Sequence, residues 1–343
     1  MKKSIAAYGI NPLGPSRKVK AAIRKAVKDV NTFPGDGLVR LERLFLSKFG
    51  TGSECLLLAN SLRELLIAVC RGLRPKKVLI VGPAPTSYRE AALASGAIIE
   101  SLCGREENFF LPDLHDLVEK AGCCDLVFIA NPNRISGMAL SETVLKQVLA
   151  ALSLKDSITV IDESLIEFAE DEGFIRRAAS GSGLIVLRTS ACYYGLPGLE
   201  LAWAVADPKI IASLRPELQS EPCIPAIAAV RTALRDKAYR RVTKQYMLEE
   251  KRLLRKAIGS LPGMVMYDSN TNLFLLHAAD MAAEIARRAD WAGPAVASCS
   301  DIEGLGGQFL RIAVMKHEHN LKLVKLLKGL NLAEKGATKS SVS

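Results

Sequence analysis

Residues 126–134 read LVFIANPNR, residues 158–164 read ITVIDES and residues 184–190 read LIVLRTS. Each is a short continuous apolar run that stops at a polar cluster. None alternates apolar with polar residues, so none has the pattern of a half-exposed strand. Unbroken runs of this length fit strands covered on both faces, as in a parallel sheet. Working outward, Cys55 to Ala59 is a further apolar run, Val78 to Val81 stops at Gly82-Pro83, Ile98 to Leu102 is strand-like, and Ala202 to Val205 follows the turn at Pro197-Gly198. Helical spacing fills the intervals at 38–50, 63–70 and 88–95, the first ending on a glycine stop. This alternation predicts an α/β fold with a mostly parallel sheet. In such sheets functional groups gather at the carboxyl ends of the strands, where Asn131, Asp162 and Thr189 fall.

The pattern changes after residue 225. One long helix is expected over 226–260, followed by strands near 272–277, 296–299 and 309–314 and helices near 281–289 and 319–330. That is a smaller α+β subdomain, placed at 226–332 beside a large domain at 36–225. The last stretch, AEKGATKSSVS at 333–343, lacks the apolar content to pack and is expected to be disordered.

The chain has 343 residues, a formal net charge of +10, and 49% hydrophobic residues. The composition excludes a collagen-like, coiled-coil or wholly disordered chain. The most apolar stretch, Cys55 to Cys70, is flanked by Glu54 and interrupted by Arg63 and Glu64, so no membrane span is expected. The positive charges fall mainly within helical patterns, at 17–28 and 235–256, with no aromatic-interleaved basic stretch. They read as solvated helix faces, not as a nucleic-acid surface. The eight cysteines, at 55, 70, 103, 123, 124, 192, 223 and 299, form no Cys-x-x-Cys pair and show no regular spacing. This favours a reducing, cytoplasmic setting. The four histidines are scattered, and no metal site is expected.

Seven motifs in order then carry a resemblance: Asn11-Pro-Leu-Gly-Pro, Ser87-Tyr-Arg, Asn131-Pro-Asn-Arg-Ile-Ser-Gly, Val160-Ile-Asp-Glu-Ser-Leu-Ile-Glu-Phe, Leu196-Pro-Gly-Leu-Glu-Leu, Thr271-Asn-Leu-Phe-Leu-Leu and Phe309-Leu-Arg-Ile-Ala-Val. Over nearly its whole length the chain resembles the fold-type I pyridoxal-phosphate (PLP) enzymes, in the branch of histidinol-phosphate aminotransferase and threonine-phosphate decarboxylase. The resemblance implies a PLP-transferase fold with a seven-stranded-type sheet. It also implies PLP as cofactor and a homodimer burying more than about 2,000 Å² in total. Residues 1–35 would be an arm packing on the small domain and on the dimer partner.

By the same resemblance, Asp162 matches the carboxylate that pairs with the pyridine nitrogen and makes the ring an electron sink. Tyr88 matches the aromatic that stacks on the ring. Arg311 matches the arginine that grips the substrate carboxylate, with Asn272 nearby. Ser61, Leu62 and Arg63 fall in the phosphate cup, and Thr189 lies just before the lysine segment.

The chain departs from the family within that same site. The family pattern Ser-Leu-Thr-Lys-Phe-Tyr-Ala-Ile-Pro-Gly-Leu-Arg reads Thr189-Ser-Ala-Cys-Tyr-Tyr-Gly-Leu-Pro-Gly-Leu-Glu200 here, without a gap. Cys192 stands at the Schiff-base lysine and Glu200 at an arginine that holds the cofactor phosphate. Arg134 stands at an asparagine that bonds the ring's phenolic oxygen. The family's Tyr-Pro-Asp reads Phe33-Pro34-Gly35, losing a hydroxyl that reaches a neighbouring subunit's phosphate. Losing an arginine–phosphate bond costs about 1.5–3 kcal/mol, and a carboxylate beside phosphate adds about 4 kcal/mol of repulsion near a surface. Together these weaken binding on the order of a thousand-fold or more.

Cys192 has two readings, a replacement nucleophile or a small buried filler. A thiol forms no stable imine, so the filler is favoured. Asp162 is divided between cofactor partner and a buried acid satisfied by Arg134, and Arg311 between anion binding and a structural pair. The resulting expectation is a divergent, non-catalytic or repurposed homologue that binds PLP weakly or not at all, with a small anionic or amino-acid ligand in view. Its alternative is a PLP- or pyridoxamine-phosphate-dependent aminotransferase or decarboxylase, histidinol-phosphate aminotransferase-like or threonine-phosphate decarboxylase-like and so tied to cobalamin biosynthesis. Such an enzyme would hold its cofactor non-covalently or recruit another lysine, such as Lys155 or Lys209. Charge bookkeeping further predicts that Arg134 pairs with Asp162 and Arg63 with Glu200, with side chains filling the cofactor space. Arg311 is expected at a strand end, open to the cleft.

Overall fold

A computed structural model of the chain describes residues 8–153, 157–169, 171–181, 183–292 and 296–340. The expected strands form a seven-stranded sheet: β1 (Leu56–Ala59), β2 (Lys77–Gly82), β3 (Ile98–Cys103), β4 (Leu126–Ala130), β5 (Ile158–Asp162), β6 (Leu184–Thr189) and β7 (Ala202–Val205). Their spatial order is β1-β7-β6-β5-β4-β2-β3. Neighbours from β3 through β6 pair in parallel, while β7 runs antiparallel to both β6 and β1. Strands β4 and β5 are buried along almost their whole length, which is why they read as unbroken apolar runs.

Helices cover both faces. On one, the helix Asp36–Phe49 ends on Gly50 in the left-handed conformation, φ 67°, a geometry glycine adopts without steric cost. Its Phe45 packs on Trp203 of β7 with ring centroids 4.8 Å apart. On the other, the helix Leu62–Leu73 begins at Ser61, whose Oγ accepts the Glu64 N–H at 3.1 Å.

The second sheet holds four antiparallel strands in the order β10-β11-β9-β8, with β8 at Val265–Met266, β9 at Leu273–His277, β10 at Val296–Ser298 and β11 at Phe309–Ala313. This is the expected α+β subdomain, with three adjustments. The helix expected over 226–260 is two helices, Ile224–Arg235 and Lys237–Ile258. They break at Asp236, where ψ is 78° and the carboxylate accepts the Tyr239 N–H to cap the second helix; a capping aspartate there wins over continuous apolar spacing.

The first of the two packs in one core with Leu41, Phe45 and Trp203, so it belongs to the large domain, and the small domain starts near Asp236 and not at 226. The last helix, His317–Ser340, runs through most of the stretch expected to be disordered. Its Ala, Glu and Lys content favours helix once a packed turn has nucleated it. Residues 341–343 of that stretch lie outside the described residues.

In the N-terminal arm the helix Arg17–Ala26 buries Val19 in the large-domain core. Upstream of it, Asn11 Nδ2 donates to the Tyr193 carbonyl at 2.9 Å and to Tyr239 Oη at 2.8 Å.

Candidate functional site

The loop after β4 and the carboxyl end of β6 line a cleft of about 790 Å³, whose walls include Arg63, Arg134, Thr189, Cys192, Glu200 and Arg311. The loop after β4 is tied by Asn133, whose Oδ1 accepts the N–H groups of Ile135 at 2.8 Å and Ser136 at 3.0 Å. Gly137, at φ 75°, lets this loop lie against β9: a Cβ there would sit 2.4 Å from the Leu273 carbonyl oxygen.

Asp162, the last residue of β5, has a side chain only 1% exposed. Its Oδ2 accepts the Tyr88 hydroxyl at 2.6 Å and lies 3.5 Å from Arg134 Nη1. Its Oδ1 accepts the Ser164 N–H at 2.8 Å and also the Ser164 hydroxyl. The carboxylate is therefore engaged on both oxygens. Burial, then the Asp162 charge, pushes the Tyr88 hydroxyl well above its usual pKa, so it stays a donor. Burial works hardest against the Arg134 charge, but Asp162 together with Cys192, Tyr88 and Glu200 holds that pKa above its ordinary value. The expected Arg134–Asp162 pair is present, at the long end of ion-pair distance.

Glu200 lies in the connection between β6 and β7. Its Oε1 accepts the Leu62 N–H at 3.1 Å and the Thr189 hydroxyl at 2.5 Å. A helix N-terminus with a hydroxyl beside it is a seat for an anion, and here a side-chain carboxylate occupies it. Arg63 does not reach Glu200. It pairs with Glu90 at 2.8 Å on the surface, its side chain 69% exposed. Successive helix residues point about 100° apart, so the Leu62 backbone can face Glu200 while Arg63 faces outward.

Of the other expected residues, Tyr88 and Asn272 stand outside the cleft wall, whereas Arg311 and Cys192 are part of it. The Tyr88 ring is fully buried and stacked on Phe128, centroids 5.2 Å apart, so it offers no face to a ligand. Asn272 is fully buried and donates to the Gly9 carbonyl at 2.9 Å; it holds the N-terminal arm and is absent from the cleft wall. Arg311 does line the cleft, from mid-strand in β11 and not from a strand end. Its Nη1 donates to the Arg134 carbonyl at 3.3 Å, and its Nε is buried without a partner. Cys192 donates its thiol to the Tyr8 carbonyl at 3.2 Å, and burial pushes its pKa up to about 12. The cleft keeps its volume, so the self-filled site expected from charge bookkeeping is not what forms: the acids are satisfied at the walls and the middle stays open.

Sequence reasoning missed the Tyr88–Asp162 bond, the Ser164 contact and the Glu200 cap. The Asp162-Glu-Ser164 spacing was a usable signal, since Asp commonly takes bonds from two residues on. The other two contacts join distant segments and carry no local signal. Among the described residues all eight cysteines are unpaired, and no helix is long and apolar enough to cross a membrane.

The family model for aminotransferase class I and II matches residues 7–327, and the chain belongs to that family, with the fold of the fold-type I PLP enzymes. The threonine-phosphate decarboxylase of Salmonella typhimurium is 26% identical over 327 residues, which cover 94% of this chain and 89% of that one. The histidinol-phosphate aminotransferase of Clostridium acetobutylicum superposes with a TM-score of 0.86 at 20% identity, covering 95% of this chain and 98% of that one. That of Sinorhizobium meliloti, solved in complex with pyridoxal-5'-phosphate, superposes with a TM-score of 0.81 at 18% identity, covering 95% and 89%.

The residues present do not fit PLP. The volume is ample, but Glu200 takes the helix N-terminus that the resemblance gives to the phosphate, Asp162, which the resemblance gives to the ring nitrogen, is engaged on both oxygens, and no lysine stands among the described residues of the cleft wall. Lys209 is exposed on the helix Pro208–Leu214 and is not part of that wall. Lys155 lies outside the described residues.

Proposed function

We propose that this chain is a member of the family that has left Schiff-base chemistry and uses the old cofactor cleft to bind a small anionic or amino-acid ligand. The observation that carries this reading is Glu200 on the Leu62 N–H, a carboxylate where the resemblance places the cofactor phosphate. Arg134 and Arg311 supply the positive wall, and the unpartnered Arg311 Nε supports a bound carboxylate. A guanidinium with a spare buried N–H is a strong donor to such a group.

The test is an absorbance titration of the purified chain with PLP, followed by gel filtration and borohydride reduction. The expected result is no aldimine band and no mass increment. A band that survives gel filtration would sink this reading and favour an aminotransferase or decarboxylase with PLP held by another lysine.

We also propose that the chain works as a cytoplasmic homodimer. Phe33, 93% exposed, sits with exposed Val27 and Val30 on the N-terminal arm, an apolar patch that supports a subunit contact. Light scattering at micromolar concentration is expected to give twice the chain mass, and Phe33→Asp to shift it toward the monomer. A monomeric wild-type mass rejects the proposal.

A further inference from the structure

Arg188 and Thr189 are neighbours on β6 and therefore point to opposite faces of the sheet. Thr189 faces the cleft, whereas Arg188 lines a second cavity of about 550 Å³. Among the described residues, six cationic side chains, Lys48, Arg176, Arg188, Arg240, Arg241 and Lys244, contribute to its walls against three carboxylates. Arg188 is neutralised by Glu163, which is not one of those three, with Nη2 to Oε2 at 2.7 Å and Nε to the same oxygen at 2.9 Å. Lys48, Arg176, Arg240 and Arg241 form no ion pair with a carboxylate among the described residues.

Two polar atoms of the walls are buried without a partner, Arg240 Nε and Glu167 Oε2. The first is a donor withheld from water and without a partner among the described residues, a state that folded proteins rarely leave uncompensated. Half-buried Lys48 reports the same imbalance: burial first, then Arg240 and Arg188, pull its ammonium down to about 8, with only Glu167 opposing. A cavity with this surplus of cations is built for a counter-charge. Several full positive charges within so small a volume suit a compact group carrying more than one negative charge.

We infer that this cavity is a second ligand site, back to back with the cleft, and that it takes a small compound bearing multiply charged phosphate. Lys48 and Arg240 form the half-buried floor and Arg176 and Arg241 the exposed rim. The inference does not rest on the reading of the cleft, because none of these residues lines it.

The test uses inorganic pyrophosphate on the full wild-type chain, read by acylation of Lys48 and peptide mass spectrometry. Saturable protection is expected, with modification falling at least about five-fold. In Arg240→Gln the midpoint should rise at least about ten-fold, as for loss of one charge-assisted donor. Acylation unchanged at millimolar pyrophosphate in the wild-type chain overturns the site, whatever the variant does. Equal protection by citrate overturns the assignment to phosphate. Equal protection by generic duplex DNA overturns the assignment to a small molecule and makes the cavity a backbone contact.

Discussion

Glu200 accepts the Leu62 backbone N–H at 3.1 Å, so the chain caps the first turn of the helix Leu62–Leu73 with one of its own carboxylates. The same oxygen takes the Thr189 hydroxyl. The free N–H groups and the dipole at a helix N-terminus favour negative charge. A carboxylate attached to the chain holds that place at no translational cost, whereas a free phosphate must displace it.

This predicts how a cofactor site can and cannot be rebuilt. Cys192→Lys alone should not retain PLP through gel filtration, because Glu200 still repels and blocks the phosphate. Cys192→Lys combined with Glu200→Arg should tighten PLP on the order of a thousand-fold relative to the single variant, from repulsion removed and one arginine–phosphate bond gained. Absorbance after gel filtration measures both. Retention by the single variant would show that Glu200 is not the barrier.

Tyr88 and Asp162 make a second testable pair. Tyr88→Phe keeps the ring on Phe128 but removes the donor 2.6 Å from a buried carboxylate. A hydrogen bond to a charged group contributes about 1.5–3 kcal/mol, and urea unfolding of the variant should fall within that loss. A change under about 0.5 kcal/mol, the scale of a surface substitution, would mean that Ser164 and Arg134 suffice.

The sheet was legible because burial on both faces leaves no alternation: β4, β5 and β6 announce themselves as apolar runs ending in Asn131, Asp162 and Thr189. The register around Pro197-Gly198 likewise placed Cys192 and Glu200 in the cleft wall. Which partner each side chain chooses was not legible. Arg63 and Leu62 are neighbours in sequence, yet the helix turns one toward Glu90 and the other's N–H toward Glu200. Asn272 was placed near the ligand by resemblance, but its partner is Gly9 of the N-terminal arm, a contact across 263 residues that no local pattern encodes.

Cysteine reactivity separates the two readings of Cys192. The residue is 2% exposed and burial pushes its thiol up to about 12, while the thiolate is the reactive form. Under native conditions at pH 8, alkylation read by peptide mass spectrometry should label Cys123 and Cys223, both exposed, and leave Cys192 unmodified. Fast labelling of Cys192 would revive the nucleophile.

Lys48 yields a pH dependence of defined sign. Its pKa is about 8 in the folded chain against 10.5 for an ordinary lysine. Between those values the unfolded state binds more protons than the folded state, so stability rises with pH through that window. Below about 8 both states are protonated, and the cost of the half-buried charge is fully present. The charges that face Lys48 are Arg240 and Arg188, which oppose its ammonium, and Glu167, which supports it. Lys48→Gln should therefore be more stable than wild type at pH 7, and the gap should close as pH climbs from about 8 to about 10.5. Comparing the two proteins isolates this group from other lysines and tyrosines titrating in the same range. Urea unfolding of both at several pH values measures the gap. A variant less stable at pH 7, or a gap that does not change with pH, would show that the Lys48 charge is already compensated in the folded chain.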